Sequence, residues 1–221
     1  MSFDLTRQVS YLLFSYLSAR EITPPEYAHM SYPKRFPMMR FEVHQYEVED
    51  FGHFMTMDTS MMGNLMGLST LVFTPNRGGN LPFLLIDPMQ MGKKNLAYVE
   101  YYDCTADGAV LPGCHGQAAE FASIADYQET PAWYVARRTP YSLIKGGKNV
   151  EKKKLDEMVL TCVRRYLSAA AKAAPNPANL AGLTAFREDM CTLGNPSTKT
   201  MSKVLGPRGA EDFFRNIVMP L

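Results

Sequence analysis

LPFLLIDPMQMGKKNLAYVEYYD, residues 81–103, reads as two apolar runs joined by a short polar turn. The runs are Leu81 to Met91 and Leu96 to Asp103. Between them Gly92-Lys93-Lys94-Asn95 has the length and residue types of a hairpin loop. A connection this short joins antiparallel neighbours, because parallel strands need a long crossover. Three strand candidates precede the hairpin. Phe41 to Glu49 alternates, with Phe41, Val43, Gln45 and Glu47 on one face and Glu42, His44, Tyr46 and Val48 on the other. Phe51 to Met61 is rich in Met and Thr, and Leu65 to Thr74 is strongly apolar and stops at Pro75, with a turn over Asn76 to Gly79. The order predicts a meander-like antiparallel sheet over roughly residues 41 to 103.

Helical periodicity flanks this block. Leu5, Val9, Leu12, Leu13, Tyr16 and Leu17 recur at three and four residues, which predicts a helix over Leu5 to Ala19, ended by Pro24 and Pro25. Tyr32 to Met39 holds two prolines and two basic residues and reads as a loop. A short helix is expected around Gln117 to Tyr127. The clearest helix runs from Val150 to Ala174, where Leu155, Met158, Val159, Cys162, Val163, Tyr166 and Leu167 form one stripe. Another is expected from about Pro177 to Leu193, then Thr198 to Leu205 and Gly209 to Val218. Strands followed by helices predict an α+β fold: an antiparallel sheet sandwiched between α-helices, in one domain over residues 1–221, with residues 150 to 218 on one face.

Composition narrows the function. With 221 residues, 46% apolar, the chain can bury a full core. A formal net charge of +1 argues against a dedicated nucleic-acid binder. No apolar run is long enough to span a membrane, and the N-terminal segment reads as an amphipathic helix and not a signal peptide, so a cytoplasmic protein is expected. Cys104, Cys114, Cys162 and Cys191 have no CxxC spacing. Cys104, Cys114 and His115 lack further ligands nearby for a zinc site, so no metal is expected and the thiols read as reduced. Neither GxGxxG nor a P-loop is present. Fifteen methionines are many for this length. Met55, Met57, Met61, Met62, Met66, Met89 and Met91 cluster, which fits either an adaptable pocket lining or ordinary core filling.

The C-terminal stretch FREDMCTLGNPSTKTMSKVLGPRGAEDFFRNIVMPL resembles that of the ferredoxin-dependent bilin reductases. Asn195, Thr198-Lys199-Thr200, Leu205-Gly206 and the segment Ala210 to Leu221 carry the likeness. Upstream, Val72-Phe73-Thr74-Pro75, Leu81-Pro82, Asp87, the loop Gly92–Asn95 and the strand Leu96 to Asp103 follow the family's order, and Thr139 to Gly147 is similar to its middle segment. The resemblance spans roughly residues 50 to 221. The related red chlorophyll catabolite reductases share the implied architecture, with a tetrapyrrole between sheet and C-terminal helices. It implies binding and reduction of a linear tetrapyrrole, electrons delivered singly by ferredoxin, no bound flavin or nicotinamide, and a protein acid as proton donor.

Under that resemblance Glu100 is the first candidate donor. It shares a strand face with Tyr98 and Tyr102, while Tyr101 and Asp103 point the other way, and either face is open as the pocket side. A solvated edge or a salt bridge is the alternative for Glu100. Asp87 matches a family aspartate by spacing, although it precedes Pro88, where an Asp commonly organises a turn. Asp189 is a possible second acid from the C-terminal helices. His53, Met55, Met57, Tyr98, Tyr102, Arg137 and Arg138 are the candidate substrate-binding residues. His53 and His44 are also candidate heme ligands or structural histidines. Arg137, Arg138, Lys145 and Lys148, with Lys34, Arg35 and Arg40, suit propionates or the docking of an acidic ferredoxin. Two other readings stay open: a heme or bilin binding protein without turnover, and a methionine-lined site for some other flat apolar ligand.

Overall fold

The computed structural model describes residues 4–62, 65–77, 79–109 and 111–221. Among these residues eight strands form one sheet in which every pairing is antiparallel. Five of them are the expected ones, β3 (Met39–Val48), β4 (Gly52–Met61), β5 (Met66–Thr74), β6 (Phe83–Met91) and β7 (Lys94–Tyr102), in sequential order across the sheet. The β6–β7 turn is tighter than the sequence suggests. Only Gly92 and Lys93 lie outside the strands, and Gly92 takes the positive φ of 58° that a two-residue turn requires.

Three strands extend the sheet beyond the expected range. β1 (Ala19–Glu21) and β2 (His29–Tyr32) both pair with β3, at its two ends. β8 (Leu143–Lys148) pairs with β7 from within the segment that was expected only as a connection. Its sequence, LIKGGK, has weak strand character of its own. Gly146 allows the approach, since a Cβ there would meet the Asn95 carbonyl oxygen at 2.3 Å.

Helices cover both faces, but not as expected. α1 (Asp4–Tyr16) and α4 (Lys152–Ala170) lie together on one face. Leu155, Met158, Val159, Val163 and Leu167 of α4 join Leu71, Phe73, Ile86 and Val99 of the sheet in one core. A second core forms on the opposite face, where Phe41, Val43, Met55, Met57 and Phe83 meet α5 (Asn179–Thr192) and α6 (Thr198–Phe213). The placement of residues 150 to 218 on a single face is therefore corrected. α4 ends at Ala170, Pro175 and Pro177 follow in the connection, and the chain passes to the other side of the sheet before α5 begins. Asn179 fixes that passage, donating from Nδ2 to the Gly79 carbonyl oxygen at 2.9 Å. Each large side chain buried in these cores contributes roughly 1.5–3 kcal/mol.

The remaining helices are short or broken. α2 spans Pro25–Ala28, and α3 is only Gln117–Glu120 where a longer helix was expected. α6 breaks at Gly206 (φ 77°), followed by Pro207, which separates the two final helical segments as the sequence suggests. A wider turn, Phe214–Val218, completes the C-terminal layer. Among the described residues no helix is long and apolar enough to cross a membrane.

Candidate functional site

The strand alternation read from the sequence sets which side chains meet. On β6, Phe83, Leu85, Asp87 and Met89 face the C-terminal helices. On β7 the same face carries Glu100 and Tyr102, opposite Leu85 and Phe83. Tyr101 points the other way, into the α1–α4 core.

A cavity of about 230 Å³ lies between this face and the C-terminal helices. Its floor is strand residues such as Met57, Thr59, Leu68 and Thr70, and its roof is Asn195, Pro196, Ser197, Thr200 and Met201. Six methionines line it: Met39, Met57, Met61, Met89, Met190 and Met201. The volume is below the 300–1,000 Å³ usual for ligand clefts, so a large ligand requires side chains to move. Methionine permits this at low cost, being unbranched and polarizable.

Asp87 is the single titratable side chain lining the cavity among the described residues. It is only partly buried by area, yet its carboxyl is surrounded by protein and its open side is the cavity. Local sequence places it there. Pro88 has no N–H, and the β5–β6 ladder lapses opposite Ser69 and Thr70. Thr70 then bonds across the gap through its side chain, donating from Oγ1 to Asp87 Oδ1 at 2.6 Å. Burial raises the Asp87 pKa to about 7, against the lowering effect of Thr70 and with a further push from the charge of Glu100. A carboxyl in this state is a proton donor near neutral pH.

Glu100 is placed differently. It is buried at 3% exposure, on the expected face with Tyr102, but it is not among the cavity-lining residues. Tyr102 donates to Glu100 Oε1 at 2.8 Å, and Arg138 forms an ion pair with the same oxygen. Arg138 also pairs with Glu129, donating from Nη2 to Oε2 at 2.9 Å. Burial raises the Glu100 pKa and outweighs Arg138 and Tyr102, which pull it down. Burial works against the Arg138 charge, and Glu129 and Glu100 more than offset it, so its pKa is raised. Arg138 is held between two carboxylates through its two terminal nitrogens at 8% side-chain exposure, while its Nε is buried without a partner, so little of the guanidinium is open to a propionate.

The other candidates are dispersed. Met57 lines the cavity, whereas Met55 is buried beside it in the same core. Tyr98 pairs with Asp87 across β6–β7 and its ring meets Tyr127 at 6.2 Å. Tyr102 packs on Phe186 at 4.9 Å. His53 sits at the far end of β4 opposite Thr74, with Nδ1 buried and unpartnered, and burial lowers its pKa. His44 lies on the α1 side, bonded to Glu21 at 2.8 Å. Neither histidine lines the cavity. Asp189 is half-exposed outside it, 3.9 Å from Arg137. Lys145 points to the α1–α4 side and pairs with Asp126 at 2.7 Å. Cys104 and Cys114 belong to opposite cores, so the sequence-adjacent pair does not converge.

Thr70 was missed by sequence reasoning, as was Leu85. The signal was available in the alternation of β5 and β6, since Asp87 fixes which positions share its face.

Neither a protein-family model nor a curated protein matches this sequence. The fold does have a counterpart. The chain is similar to phytochromobilin synthase from tomato, solved in complex with biliverdin, at a TM-score of 0.80 and 8% identity, over 97% of this chain and 82% of that one. The architecture implied by the sequence resemblance is thus the architecture found.

Proposed function

We propose that the protein binds a linear tetrapyrrole in the cavity between the sheet and α5–α6 and reduces it, with Asp87 as the proton donor. The observation that carries this is Asp87 itself: one acid, its pKa raised to about 7, opening on a largely apolar and methionine-rich cavity. That cavity belongs to a fold shared with a biliverdin-bound protein. Glu100, the first candidate from sequence, is engaged by Arg138 and Tyr102, so the role passes to Asp87.

Saturating one double bond takes two electrons and two protons. In this reading two reduced ferredoxins each give one electron, Asp87 gives one proton, and solvent supplies the other and reprotonates Asp87. No bound cofactor is needed. The acidic partner has a candidate surface. Lys34, Arg35, Arg40 and Lys148 are exposed at one end of the sheet. The register Met39–Met61–Met66–Met91–Lys94–Lys148 runs along that end, and Met39 and Met61 also line the cavity. Charge complementarity of this kind raises encounter rates.

The test is an anaerobic assay with reduced ferredoxin and biliverdin, following the bilin absorption band. Loss of the band with product formation supports the reading. Tight binding with no turnover supports the binding-protein alternative instead.

A further inference from the structure

The Glu129–Arg138–Glu100–Tyr102 chain is unaccounted for by the site chemistry. It is a buried polar network on the cavity side of the sheet, where an apolar cluster of the same shape would cost less to bury. Its position is fixed by backbone. Tyr102 and Arg138 form an isolated antiparallel bridge, which sets the Arg138 side chain beside β7. Glu100 and Asp87 lie on neighbouring strands and the same face, one pair out of register, since Glu100 faces Leu85 and Asp87 faces Tyr98. Such diagonal neighbours are roughly 7–8 Å apart.

We propose that this chain is a positioning device for Asp87: with two carboxylates and one guanidinium it leaves one net negative charge beside the cavity acid, and that charge adds to the effect of burial in keeping Asp87 in its protonated, donating form. The proposal rests on Asp87 as the donor in the reading above. The surroundings leave few competing charges. From β5 only Thr70 reaches Asp87, through a neutral hydroxyl. From β7 come Tyr98 and Glu100, and from the segment before β8 come Tyr134, which feels the Asp87 charge, and Arg138 with Glu129. The roof residues Met190, Asn195, Ser197, Thr200 and Met201 carry no titratable group. The direction of Glu100's effect on Asp87 agrees with this geometry.

The arrangement also explains why Glu100 needs Arg138. An unpaired buried carboxylate would take up a proton and lose its charge. Arg138 opposes that uptake by favouring the charged form, and Glu129, at 22% side-chain exposure, gives the group its negative excess.

The test is the titration of Asp87 in the ligand-free protein, read from the side-chain carboxyl carbon by NMR on aspartate-labelled chain, with Asp87→Asn identifying the signal. In Glu100→Gln the midpoint is expected to fall by about one pH unit. Glu129→Gln should move it in the same direction by less, and Glu100→Asp should return it toward the wild-type value. A purely structural role for Glu100 would not move this midpoint in a folded variant. A folded Glu100→Gln protein with the wild-type midpoint overturns the proposal. If that variant fails to fold, an unchanged midpoint in Glu129→Gln overturns it. Because no bilin is present, an inert wild-type enzyme would count against the proposed function and leave this result standing.

Discussion

Asp87 and Glu100 share one face of adjacent strands, yet only Asp87 opens on the cavity, because Arg138 and Tyr102 hold Glu100 in place. The two carboxyls therefore have different work available to them. In the proposed reading one gives a proton and the other sets the field around it.

Asp87→Asn keeps the shape of the cavity lining and removes the proton. It is expected to bind biliverdin as the wild type does and to lose reduction by about 10²–10⁴, the usual worth of a general acid. Paired binding titrations and anaerobic turnover assays check this. Wild-type turnover in the Asn variant would eliminate Asp87 as donor.

The raised Asp87 pKa also links to stability. Its ordinary carboxyl value is 3.8 and its folded value about 7, so between these the folded state binds the proton more tightly than the unfolded state. Its contribution is fully present below about pH 4, falls as pH rises, and levels off above about 7. Asp87→Asn should therefore be more stable than wild type at pH 8, by at most about 4 kcal/mol, with the difference nearly gone at pH 4. Urea unfolding at several pH values measures it.

Thr70 donates the hydrogen bond that favours the ionised form of Asp87. Thr70→Val removes the donor at nearly constant volume. The Asp87 midpoint is expected to rise further, and the alkaline limb of the reduction profile should move to higher pH with it. An Asp87 midpoint that stays or falls would show that the bond does not act on the charged form.

Much of this layout was legible in the sequence. The alternation of Phe41 to Glu49 and the parity of Tyr98, Glu100 and Tyr102 are set by side-chain period, and both hold. Asp87 is a candidate through its family-like spacing from Leu81, and it lines the cavity. What could not be read was non-local. LIKGGK becomes β8 only because β7 offers an edge. The short β1 and β2 exist only against β3. Arg138 reads as a cation for propionates or an acidic ferredoxin, and only its bridge to Tyr102 brings it to Glu100. Helical periodicity marks the apolar stripe of α4 but carries no information about which face of the sheet receives it.

The roof of the cavity depends on a close approach by α5. A Cβ on Gly182 would meet the Cys104 carbonyl oxygen at 2.1 Å, just past the end of β7. Gly182→Ala is expected to destabilise the protein by about 1–3 kcal/mol and to weaken biliverdin binding, since Met190 on the same helix lines the cavity. Thermal unfolding and a binding titration check both effects. An Ala variant as stable as wild type would mean that α5 can shift outward without loss.

The measurement that bears most directly on the site is a spectral titration of the purified protein with biliverdin, alongside a Leu85→Trp variant. Leu85 lies on β6 between Phe83 and Asp87 and lines the cavity. A Trp there fills the space the tetrapyrrole would take while leaving the opposite core untouched. A saturable change in the bilin bands with one ligand per chain is expected in the wild type, and weakening of at least about tenfold in the folded variant, or about 1.4 kcal/mol. Saturable binding of the same strength in both proteins would place the ligand elsewhere, and no saturable binding in the wild type would contradict the tetrapyrrole assignment.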